Sequence, residues 1–192
     1  TTGANNTAVG VDALQANTTG TENVAIGGQA LATSATTSAS TAVGYRALED
    51  ATGEQNTAVG NAALRENTSA SNNTAVGFFA LASNTTGHSN TAVGQAALDA
   101  CTTGIANTAM GIGAATELTT GDFNVAFGRS ALQEVTTGDK NTAIGNDAGA
   151  SLTTGNFNVF LGHETGISGS PGGNITTADD NVCIGSNEIT AA

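Results

Sequence analysis

The chain has 192 residues and a mass of 18.6 kDa, the size of one ordinary domain. Leu, Ile, Val and Phe supply only 35 of those residues, too few for a conventional core of large side chains, while small residues dominate: 35 Ala, 32 Thr and 26 Gly. With 4 basic against 16 acidic residues the net charge is −12, which speaks against nucleic acid as a partner, and no run nears the ~20 apolar residues of a membrane-spanning helix.

Order comes instead from repetition. The pentad Asn6-Thr7-Ala8-Val9-Gly10 returns, with small changes, at Asn23, Ser40, Asn56, Asn73, Asn90, Asn107, Asn124, Asn141, Asn158 and Asn181. The steps are 17, 17 and 16 residues, then six of 17, then 23. The unit reads N-(T/V)-A-(V/I)-G-x-x-A-L-x-x-x-T-T-G-x-x, and its positions are called slots 1 to 17 below. Residues 1–162 read as the regular array, 163–180 as an inserted loop, and 181–192 as a last partial coil leading into a further region. The whole reads as a segment of a longer array.

Each unit predicts two short strands and two tight turns. The first strand fills slots 1 to 4 and ends at the Gly of slot 5, present in all eleven units as Gly10, Gly27, Gly44, Gly60, Gly77, Gly94, Gly111, Gly128, Gly145, Gly162 and Gly185. Glycine there supplies a positive φ or a close backbone approach. The second strand is centred on the Ala-Leu of slots 8 and 9, and Thr-Thr-Gly makes the return turn. Unit stacked on unit pairs each strand with its copy at about 4.8 Å, a parallel β-solenoid of about eleven coils and roughly 50 Å. Slots 2 and 4 share one face and slot 3 the other. Both are apolar, and such strands are covered on both sides. One face lines the coil; the other needs a partner surface, and the thin core points to an obligate oligomer.

The pentad, followed two residues later by Ala, resembles the head repeats of trimeric autotransporter adhesins (YadA-like heads), and similar arrays occur in bacteriophage tail fibres. The match runs from Asn6 to about Gly162. The resemblance implies an all-β fold, a left-handed parallel β-roll, and a homotrimer. The unit departs from the family in length, 17 residues here against nearer fourteen there. It carries no ligand across, because the family binds many different things.

Enzymatic constellations are absent, and no catalytic residue is named. His88 and His163 lie in variable slots and read as exposed turn residues without a partner at zinc spacing. Cys101, in slot 12, reads as lying on an outer turn, and Cys183 takes the Ala space of slot 3. About five coils apart, on the order of 24 Å, they are too distant for a disulfide. Asp122, Asp139 and Asn156 stack in slot 16 as a column of oxygens suited to a hard cation such as Ca²⁺. Lys140 beside them is the alternative means of relieving their repulsion. No other cofactor is indicated.

Two breaks in the repeat mark candidate recognition residues. Tyr45-Arg46 and Phe78-Phe79 put aromatics and Arg where other units carry polar residues, and such side chains either anchor a ligand or cover a subunit seam. The second break, the long unit holding Gly166, Gly169, Pro171, Gly172 and Gly173, is either a functional loop or a transition out of the array. The function expected is a non-enzymatic head or shaft segment of a trimeric cell-surface adhesin or phage tail fibre. It would be extracellular, at the cell surface or virion tail, with a host glycan or protein receptor as its partner. The alternative is an ice-binding solenoid, motivated by the Thr-rich repeat. Against it, the Thr of slots 13 and 14 are adjacent in a turn, and the slot-2 Thr column is broken by Val24, Val125, Val159 and Val182.

Overall fold

The computed structural model describes residues 2–167 and 173–185. They hold no helix and one parallel sheet of eleven three-residue strands in sequence order. These are β1 (Thr7–Val9), β2 (Val24–Ile26), β3 (Thr41–Val43), β4 (Thr57–Val59), β5 (Thr74–Val76), β6 (Thr91–Val93), β7 (Thr108–Met110), β8 (Val125–Phe127), β9 (Thr142–Ile144), β10 (Val159–Leu161) and β11 (Val182–Ile184). Register follows the repeat: Ala92 of β6 faces Ala75 of β5 and Ala109 of β7. The molecule is a β-solenoid with coils of about 17 residues, and the shorter third unit keeps the same register.

Alternation decides which side is inside. The slot-3 Ala is fully buried in β2 to β7, whereas slots 2 and 4 are half-buried or exposed. The core is built from ladders: Ala of slots 3 and 8, Leu of slot 9, and a changing residue in slot 12. Each buried Leu contributes about 1.5–3 kcal/mol, so stability accumulates coil by coil.

Asparagine in slot 1 closes the coil. The buried Asn107 side chain donates from Nδ2 to the Gly121 carbonyl, 2.8 Å away and fourteen residues on. Its Oδ1 accepts the Asn124 backbone N–H of the next coil at 2.8 Å. The same pair of bonds recurs at Asn73, Asn90, Asn124 and Asn141. One side chain thus satisfies a carbonyl across its coil and an N–H of the next, which explains why the repeat opens on Asn.

One expectation is overturned. Slots 8 and 9 form no second strand, because the slot-9 Leu residues sit in the left-handed region, with φ from +50° at Leu31 to +54° at Leu98. Slots 7 and 17 are left-handed too, as at Arg46 and Ala106. Each such residue costs roughly 1–2 kcal/mol outside glycine. The return is hydrogen bonding around the whole circumference. Arg46 N–H reaches back to Gly28 O at 3.0 Å, and Leu48 N–H reaches forward to Ala63 O at 3.0 Å. Corners made this way carry backbone bonds in both directions, to slot 6 of the coil before and to slot 8 of the coil after.

Cys101 also differs from expectation: it is fully buried, since slot 12 points inward and not onto an outer turn. Along the axis that column runs Ser34, Ala51, Asn67, Asn84, Cys101, Leu118, Val135, Leu152, all buried. Leu118, Val135 and Leu152 occupy the end of the column where slot 9 includes Ala115 and Gly149, so volume shifts between neighbouring ladders.

The long unit keeps its coil through Gly166 and resumes at Ile175, whose N–H donates to Gly166 O at 3.0 Å. Thr176 then accepts from Thr153, and Asn181 from slot 1 takes up the Asn ladder on Asn158. The six additional residues therefore enter between slots 9 and 12. Gly169, Pro171 and Gly172 lie outside the described residues, as do 186–192.

Candidate functional site

Slot 6 follows the slot-5 turn and projects from the corner of the coil. Its occupants alternate between apolar and polar or small up the axis: Val11, Gly28, Tyr45, Asn61, Phe78, Gln95, Ile112, Arg129. Val11, Tyr45, Phe78 and Ile112 are all at least half exposed. The Tyr45 ring leans over Gly28, where an added Cβ would lie 3.4 Å from the ring. Arg46 stacks its guanidinium 5.3 Å from the Tyr45 ring centre, held there by Gln29 Oε1 at 2.9 Å and Glu49 at 3.5 Å. Phe78 and Phe79 meet at 4.5 Å with their planes tilted by 53°, and Arg65 lies 5.7 Å from the Phe79 ring centre. Cation–π contacts of this kind contribute about 0.5–1 kcal/mol at exposed sites.

The structure thus places the four sequence-predicted residues as two pairs two coils apart, Tyr45 with Arg46 and Phe78 with Phe79, the second joined by Arg65, with Asn61 on the rung between them. Among the described residues no ring contact joins Tyr45 to Phe78. A second aromatic column escaped the sequence reading. Phe123 and Phe157, in slot 17, are each about half exposed, and Lys140 between them places its ammonium 4.8 Å from the Phe157 ring centre. Alternation could not place them, because slot 17 lies outside the strand with φ of +59° at Phe123 and +57° at Phe157.

The slot-16 oxygens have a structural task. Asp122 Oδ1 accepts the Ile105 N–H, Asp139 Oδ1 the Asp122 N–H, and Asn156 Oδ1 the Asp139 N–H, each at 2.8 Å. Asp179 extends the ladder to Asn156 at 2.6 Å. The column satisfies backbone donors of neighbouring coils, leaving a second carboxylate oxygen on each Asp. Lys140 is drawn to the Phe157 ring.

Both thiols are free. Burial pushes the Cys101 thiol up to about 11, opposed by its contact with the Gly104 carbonyl and reinforced by Asp122. Burial also raises Cys183. Asp99 is raised by desolvation, with Arg65 acting against it.

His163 departs from the sequence reading. Its Nδ1 lies 3.8 Å from Glu164, and Asp147 of the preceding coil completes a group whose ligand atoms all fall within 4.8 Å. The sequence hid this because the coil length, not a local motif, sets the spacing. Comparisons with protein-family models, with curated proteins and with solved structures return no match to this chain.

Proposed function

We propose that the chain is a non-enzymatic fibre segment, a spacer and attachment module of a trimeric cell-surface adhesin or phage tail fibre, exposed outside the cell or on a virion tail. The observation that carries this reading is the outer face of the sheet. None of the 16 acidic and 4 basic residues falls in any of the eleven strands. Slot 4 offers Val, Ile, Met, Phe or Leu on every rung, with Val76 37%, Met110 36% and Phe127 51% exposed. An uncharged apolar strip along a chain of net charge −12 has the composition of an interface centre, not of a solvated surface. Three such strips turned toward a common axis would bury one another and leave the charged corners in water.

The aromatic–arginine pairs lie on the corner beside that strip, where they serve either a glycan or protein receptor or the rim of the seam. The ice-binding alternative finds less support. Slot-13 hydroxyls such as those of Thr85, Thr119 and Thr136 donate to carbonyls of the next coil at 2.9–3.1 Å and are not free to order water.

Placing two cations on the strip tests the reading. Val76→Lys with Met110→Lys, two coils apart and outward-facing, is expected to convert the oligomer to smaller species without unwinding the coils. An unchanged sedimentation coefficient for the double variant would overturn the assignment of this face.

A further inference from the structure

Asp147, His163 and Glu164 occupy slots 6 and 7 of two successive coils, at 147, 163 and 164. We propose that they form a binding site for a divalent transition-metal ion, of which Zn²⁺ is the natural probe. Imidazole with two carboxylates is a nitrogen–oxygen donor set that suits such ions, whereas Ca²⁺ and Mg²⁺ favour all-oxygen shells. Two carboxylates also balance the charge of a dication. The ligand atoms lie within 4.8 Å of one another. A tetrahedral shell with bonds of 2.0–2.1 Å needs them about 3.4 Å apart, which rotation of half-buried and exposed side chains supplies. The fourth position is open to water.

The backbone beneath the site is fixed by the coil ladder. Asp147 N–H donates to Arg129 O and Glu164 N–H to Asn146 O, both at 2.9 Å. The Asn146 amide donates to Asp147 Oδ2, orienting that carboxylate as an outer-shell partner does. Among the described residues no Lys or Arg pairs with either carboxylate, so no protein cation competes for the place of the metal. The arrangement occurs once among the described residues: other coils carry Val, Gly, Tyr, Asn, Phe, Gln, Ile or Arg where His163 stands. Its position follows the last regular coil and adjoins the six-residue insertion, so a bound ion would clamp coils nine and ten where the array changes.

Zn²⁺ titration of the full chain by calorimetry, in buffer with excess Mg²⁺ and Ca²⁺ to mask the acidic surface, tests the site. The expected result is one Zn²⁺ per chain and a raised melting temperature. His163→Ala and Asp147→Asn, both at solvent-accessible positions, should each lower the affinity at least about tenfold, with circular dichroism reporting that the coil is intact. Cys183→Ala and Asp139→Asn should bind as the parent does. Absence of a stoichiometric site, unchanged affinity in His163→Ala, or loss of binding in Cys183→Ala or Asp139→Asn would overturn the proposal.

Discussion

Gly94 shows how little freedom single residues have in this coil. Its φ is +135°, and an added Cβ would sit 2.4 Å from the Gly111 carbonyl oxygen of the next coil. Gly94→Val therefore combines backbone strain with a collision against main chain that cannot rotate away. The expected loss is at least about 2 kcal/mol, read as a lower melting temperature. An unchanged melt would contradict the geometry of slot 5. Cys101 is constrained by burial instead. In the unfolded chain its thiol ionises near 9.0, whereas the native thiol holds its proton to about 11. The native state is thus fully favoured below pH 9 and loses that advantage as pH rises to about 11, by roughly 3 kcal/mol in all. Urea unfolding between pH 8 and 11 should show a steeper decline in the parent than in Cys101→Ala, which keeps only the smaller contribution of Cys183. Parallel curves would place the thiol in water. The slot-5 glycines were legible from recurrence alone. The inward aim of Cys101 was not, because slot 12 accepts Asn, Ser, Ala, Cys, Leu and Val and so presents no consistent hydropathy.

Within a coil, the ladders share a fixed volume. Phe160 replaces the slot-3 Ala of β10, and the two slot-9 positions beside it, Gly149 and Gly166, have lost their Leu. A Cβ at Gly149 would lie 2.6 Å from the Phe160 ring, and one at Gly166 would lie 2.2 Å from it. Phe160→Ala should cost about 3–5 kcal/mol by leaving a cavity. Gly149→Leu alone should also destabilise, through overpacking. Together they restore the Ala–Leu pairing of coils two to six, so the double variant should be more stable than the sum of the single losses by over about 1 kcal/mol. Strict additivity in urea unfolding would sink this packing account. The strands of slots 2 to 4 could be read from alternation and from the following Gly. The corner at slots 8 and 9 could not, because Leu at φ near +50° runs against its own backbone preference and only the coil-to-coil bonds hold it there.

At the scale of the molecule, eleven in-register strands create a surface no single strand reveals: one side closed on Ala and Leu, the other uncharged and open. The sequence showed two apolar sides and the need for a covering surface. The recognition residues were less legible. Tyr45, Arg46, Phe78 and Phe79 stood out because they break the repeat, but Phe123 and Phe157 hid in a slot with no consensus. Asp147 met His163 only when the coil length became a distance. The proposal that the open side is shared among three chains is tested most directly by sedimentation equilibrium of the unmodified chain at micromolar concentration. It predicts a single species of three times 18.6 kDa that keeps its β signature down to dissociation. A folded, monodisperse monomer of 18.6 kDa would contradict it.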